Sequence, residues 1–154
     1  MIENNNNHFF SWERILATGR YPPPKCSSTL IHDENGNLIL FGGRSMIYID
    51  DIHMREQYHS ELHSYSIERN CWNLHVSLNE PGPICDHSAS IIHRNDQSLM
   101  IIFGGSIMNA DSMQPNLVQE NNNLWQWNDV WTLVNVDGLK PEPRRGHFIY
   151  IEIF

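Results

Sequence analysis

Residues 38–43 read LILFGG and residues 99–105 read LMIIFGG. An apolar run closed by an aromatic residue and two glycines is a common way for a buried strand to end. One such run is uninformative, but two in matching surroundings, about sixty residues apart, mark a repeat. The flanks match too: WERILATGRYPPPKCSSTLI precedes the first glycine pair and WNLHVSLNEPGPICDHSASII the second. Trp12 thereby aligns with Trp72, Pro24 with Pro83 and Cys26 with Cys85. Each pair is followed by a long polar loop and a short aromatic segment, ELHSYSI at 61–67 and NDVWTLV at 128–134, and a third cycle starts at PEPRRGHFIYIEIF, 141–154.

The segments between the loops are short and rich in β-branched and aromatic residues, with no helical stripe of any length, so they read as strands. HDENGNL carries Asn35-Gly36, which suits a tight hairpin turn because both residues reach positive φ easily. Each cycle becomes a four-stranded antiparallel unit: strand a at 27–32 and 87–92, b at 38–42 and 99–103, c at 61–67 and 129–134, and d at 71–76, with 11–16 as the outer strand of an earlier cycle. With strand c of the second cycle at 129–134, its tryptophan and most of an outer strand are missing: either the second blade is incomplete or VNVDGLK supplies a short substitute. FIYIEIF, 148–154, reads as a third strand a.

An all-β period with one Gly-Gly per unit is the pattern of a β-propeller blade. The predicted fold is a partial propeller of about two such blades plus flanking strands. Its repeats run 11–70, 71–134 and 135–154, after a disordered Asn-rich stretch at 1–10. Gly42, Gly43, Gly104 and Gly105 are expected where inner strands crowd together and a Cβ does not fit. Trp12, Tyr65, Trp72 and Trp131 are expected as the aromatics that fill the blades and the wedges between them. Propellers close with typically 4–8 blades, so a two-blade chain reads as part of a longer ring. Alone it should aggregate through the apolar edge of FIYIEIF.

The net charge is −8 and the 10 Lys and Arg residues are scattered, which argues against nucleic acid as a partner. No apolar run has the roughly 20 residues that span a bilayer, and MIENNNNHFF is unlike a secretion signal, so the expectation is a cytoplasmic or nuclear protein with no membrane contact. Cys26, Cys71 and Cys85 have neither the number nor the spacing of a disulfide framework or zinc site.

His53, His59 and His63, beside Asp50, Asp51, Glu56 and Glu61, are the best metal candidate, but their spacing lacks the regularity a rigid ligand set needs, and a solvated loop is the favoured reading. There is no GxSxG turn, and neither FGG is followed by the Lys-Ser/Thr of a phosphate loop. No catalytic residue, metal or cofactor is therefore expected.

In an up-and-down blade successive turns alternate ends, so the b-to-c loops, 44–60 and 106–127, share a face with the d-to-a links. Arg44, Tyr48, Arg55, Tyr58, Trp125 and Trp127 in those loops have the composition of interface hot spots, joined by Lys25 and Asp86 from the links. Trp125 and Trp127 could equally cover the blade. The run NNN at 121–123 reads as a low-complexity, disordered insert.

LILFGG, LMIIFGG, the Tyr-then-Trp segment ELHSYSIERNCW and the Pro-x-x-x-His lead-ins PEPRRGH and GPICDHSA together resemble kelch repeats. SWERILATGRYPPPK, the long loop before ELHSYS, and NDVWTL look most like the kelch region of the F-box only protein 42 family. The chain departs from the pattern at Ile84, where kelch repeats often place Arg, and at Lys25 and Ser28, where the Arg and His would fall. The resemblance implies a protein-interaction module that recognises substrates for an F-box (SCF-type) ubiquitin ligase, with adaptor and cullin as partners if an F-box accompanies it outside this chain. A scaffold or cytoskeleton-binding kelch protein is the alternative, and a fragment of a metal-dependent kelch enzyme a weaker one.

Overall fold

The computed structural model describes residues 11–94, 97–108 and 118–150. The expectations for 1–10 and 151–154 lie outside these residues, which contain fourteen strands and no helix. The first blade runs β1 (Thr18–Gly19), β2 (Thr29–His32) and β3 (Asn37–Phe41), then an inserted hairpin of β4 (Arg44–Tyr48) and β5 (Met54–Tyr58), then β6 (Leu62–Ser66) and β7 (Cys71–His75). The second runs β8 (Ile84–Cys85), β9 (Ser88–Arg94) and β10 (Gln97–Phe103), a hairpin of β11 (Ser106–Met108) and β12 (Val118–Glu120), then β13 (Leu124–Asn128) and β14 (Val130–Leu133). Sheet orders β1-β7-β6-β3-β2 and β14-β13-β10-β9 make each blade a four-stranded antiparallel meander of strands a to d, with β1 added in parallel to the first.

The local causes are visible along β3. Alternate residues Ile39 and Phe41 are buried, as the two-residue period of a pleated strand requires. The turn before it is held by Asp33, whose Oδ1 accepts the backbone N–H groups of Asn35 at 3.0 Å and Asn37 at 2.7 Å. Gly36 supplies the positive φ of 77°.

The core joins the blades. Phe41 and Leu62 of the first meet Ile84, Met100, Ile102 and Trp131 of the second. Trp131 on outer strand β14 is 2% exposed and lies 4.6 Å from Phe41, so it fills the wedge between blades. Its counterpart Trp72, half-buried on β7, packs within its own blade on Tyr65 at 5.1 Å.

Four expectations need correction. Strand c of the second blade is Leu124–Asn128, and Val130–Leu133 is strand d. Trp127 faces Trp131 across the ladder as Tyr65 faces Trp72, so the second blade is complete. What hid this is the c-to-d turn. It is a single residue, Asp129 at φ 60°, whereas the first blade spans 67–70 there. Trp12 is not on an outer strand: residues 11–17 form no strand up to β1, and its side chain is fully exposed, because a lone d strand has no a, b and c neighbours to pair with. Residues 147–150 form no strand either, since strand a pairs with b and the chain carries no third FGG strand; Phe148 and Tyr150 are exposed. Finally, Asn121–Asn123 are ordered by specific bonds. Asn121 Nδ2 donates to the carbonyls of Gly104 and Gly105 at 3.1 and 3.0 Å, and Asn122 Nδ2 donates to Pro141 O at 2.9 Å.

Candidate partner-binding face

The glycine pairs set the geometry from which the face is built. Gly42 has φ 64°, and a Cβ there would sit 2.5 Å from the Ile84 carbonyl oxygen. Gly104 repeats this with φ 64° and a Cβ 2.7 Å from Arg144 O. No L side chain fits such a left-handed, crowded position without backbone movement. The close approach is used for bonding, because Gly43 N–H donates to Ile84 O and Gly105 N–H to Arg144 O, both at 2.8 Å. The chain thus leaves each inner strand stitched to the lead-in of the next blade.

From there each b-to-c connection rises as a hairpin. In the first, Arg44 pairs with Tyr58 and Tyr48 with Met54, and the tip is closed by Asp50 Oδ1 accepting from Ile52 and His53 N–H groups at 3.0 and 2.8 Å. In the second, Ser106 pairs with Glu120 and Met108 with Val118; its tip, 109–117, is outside the described residues. Both hairpins bond to the d-to-a links, Arg44 to Cys26 and Ser106 to Cys85, which puts hairpins and links on one face.

The structure separates the eight expected contact residues. Tyr48 is 77% exposed and Arg55 is exposed, with no carboxylate partner among the described residues. Arg44 is half-buried and its Nη1 bonds Glu56 Oε1 at 3.0 Å. Tyr58 is buried at the hairpin base, and burial beside the Cys85 thiol pushes its hydroxyl up to about 12. Lys25 is not on the surface: its side chain is 2% exposed, with Nζ 3.8 Å from Glu61 Oε2, and burial lowers its pKa despite that carboxylate. Asp86 is half-buried at φ 55°, the left-handed position that Ser27 and Gly146 hold in the other lead-ins, so its backbone shape is its main contribution. Trp125 and Trp127 lie on β13, packed partly into the core, because the strand starts at Leu124 rather than after them.

The three histidines of the candidate metal cluster disperse. His53 pairs with Asp50 at the exposed hairpin tip, His59 is buried between Ser45 Oγ at 2.9 Å and Glu61 Oε2 at 3.3 Å, and His63 lies in β6 edge-on to Trp72. Ser45, His59 and Glu61 line up like a hydrolytic relay. However, His59 N–H bonds Gly43 O as Asn121 N–H bonds Gly105 O in the second blade, so the trio occupies a structural lock at the hairpin base.

Several surface residues had not been singled out from sequence. Met46, Ile49, Ile52 and Met54 on the first hairpin are all more than half exposed. A groove of about 690 Å³ is lined by Ile49, Met54, Arg55, Tyr58, Pro83 and Met108. A smaller one of about 240 Å³ passes between the hairpins against Met46, Met54, Met108 and Val118. The available signal was the alternation in RSMIY and MREQY around DDIH, a hairpin pattern inside what read as a loop.

Among the described residues no helix is long and apolar enough to cross a membrane, which leaves β-barrels unaddressed, and no group of three or more His, Cys, Asp or Glu is placed to hold a metal ion.

The KLHDC2/KLHL20/DRC7 Kelch-repeats domain matches residues 4–152. Host cell factor of Drosophila melanogaster is 26% identical over 139 residues, covering 90% of this chain and 8% of that protein. The chain therefore spans a small part of the curated relative it matches. With two antiparallel blades, paired glycines at each inner strand and this match over nearly all its length, the chain belongs to the kelch-repeat family, whose repeats form protein-interaction modules.

Proposed function

We propose that the chain grips a protein partner on the hairpin face, and that it serves as the substrate-recognition part of an F-box type ubiquitin ligase of the cytoplasm or nucleus. The observation that carries the binding face is the pair of hairpins with exposed Tyr48, Ile52 and Arg55 beside methionine-lined grooves. Methionine surfaces adapt to varied partners, and Tyr and Arg supply anchoring energy. The ligase role rests on the sequence resemblance to F-box/kelch proteins; adaptor and cullin would be reached through an F-box outside these residues. An interaction scaffold without a ubiquitin role is the second reading, favoured by the similarity to Host cell factor, whose name carries no F-box or ligase.

The test is a pull-down from cell extract with the full reading frame, comparing the native sequence with Tyr48→Ala and Arg55→Ala. Loss of specific partners in both variants supports the face, and unchanged capture overturns it. SCF adaptor and cullin among the captured proteins supports the ligase role; partners without them support the scaffold.

A further inference from the structure

A second site lies away from the hairpins. A cleft of about 310 Å³ opens on the opposite face, where the a-to-b turn of the first blade meets the c-to-d turn of the second. Ile39, Ile91, Met100 and Trp127 line its apolar side, while Asp33, Asp129 and several amides line the rest.

Three features define what fits. Among the described residues, the lining carries two carboxylates and no lysine or arginine. His75, also in the wall, does not offset them, because burial lowers its pKa against the opposing pull of Asp129. Asp33 is committed to its turn, accepting from Asn35, Asn37 and the Asn37 side chain. Asp129 forms no ion pair among the described residues, which leaves its charge for a visitor. Finally, Trp127 is half-buried in the cleft wall, so part of its indole ring is open to an occupant.

We propose that this cleft receives an arginine or lysine side chain of a protein docking on the turn face, with its cation at Asp129 and its stem along Ile39, Met100 and Trp127. A basic side chain matches the negative lining and gains from the indole ring and apolar wall beside it. The site is independent of the hairpin face.

The ¹⁵N-labelled protein of the full reading frame is titrated with acetyl-Gly-Arg-Gly-amide and with its citrulline counterpart, which keeps the shape and removes the charge. The Trp127 indole resonance, assigned with Trp127→Phe, is expected to move with the arginine peptide, and binding is expected to be about tenfold weaker with citrulline. Asp129→Asn should weaken the arginine peptide similarly; asparagine tolerates the φ of 60°, so the turn survives. Gln97→Lys, which places a cation on the rim, should do the same. Equal affinity for citrulline, unchanged binding in both variants, or a still Trp127 resonance would overturn the proposal. Shifts confined to the Tyr48 and Arg55 hairpin would also overturn it while leaving the hairpin reading intact.

Discussion

Trp131 and Phe41 lie 4.6 Å apart, centroid to centroid, although one is on the outer strand of the second blade and the other ends an inner strand of the first. Both are nearly or wholly buried, so this contact transmits stability between blades. Trp131→Ala should cost about 3–5 kcal/mol, as for other buried large aromatics. Trp72→Ala should cost clearly less, because Trp72 is only half-buried and packs on Tyr65 within its own blade. Urea unfolding of the two variants checks the order, and equal losses would contradict it. A double-mutant cycle between Phe41 and Trp131 should show a coupling of about 0.5–1.5 kcal/mol beyond area burial.

The glycines can be ranked by their surroundings. Gly36 and Gly42 both have positive φ, but a Cβ at Gly36 meets open space while one at Gly42 meets the Ile84 carbonyl at 2.5 Å. Gly36→Ala should cost about 1–2 kcal/mol from conformation alone. Gly42→Ala should cost several-fold more, since the blades must separate to admit the methyl group. Thermal denaturation of the pair is the check; similar melting temperatures would mean the inner strands are not packed as described.

Acid sensitivity should centre on His87. Burial between the blades lowers its pKa from 6.5 to about 4, with Asp86 pulling upward and His147 downward. The unfolded chain therefore binds a proton between these values that the folded chain refuses. Stability is full above about pH 6.5 and falls as the pH drops towards 4, by on the order of 3 kcal/mol. His63, His75 and His147 are lowered by burial too and act in the same direction. His87→Gln should flatten the stability profile over this window, which denaturant titrations at several pH values will show.

Asn121 ties the second hairpin to the glycine pair through both carbonyls, and Asn123 N–H bonds its Oδ1 at 2.9 Å. Asn121→Ala takes the side-chain partner from Gly104 O and from Asn123 N–H, while Gly105 O keeps its bond to the residue 121 backbone N–H, and should cost about 1–3 kcal/mol. Hydrogen exchange should quicken around Gly104–Ser106 first; unchanged protection there would show that the amide bonds contribute little.

The propeller pattern was legible because its determinants are local. LILFGG and LMIIFGG carry strand periodicity and backbone freedom in their residue types, and a repeat announces itself by recurrence. The second blade's strand c was misplaced because NDVWTL reads as a strand equally well in either role; the ladder partner of Trp131 decides it, and pairing is non-local. The surface of the proposed face was only half legible. Tyr48 and Arg55 stand exposed, but Lys25 and Tyr58 turned inward, since composition says nothing about which side of a hairpin faces water. The cleft at Asp129 had no sequence signature, being assembled from two turns that come together through blade packing. The amino-acid sequence by itself determined the strands, the glycine positions and the family, through short-range sterics and periodicity. Only the tertiary structure decided which aromatics became wedges, which charges were buried and where the surfaces lie, because those depend on contacts between blades.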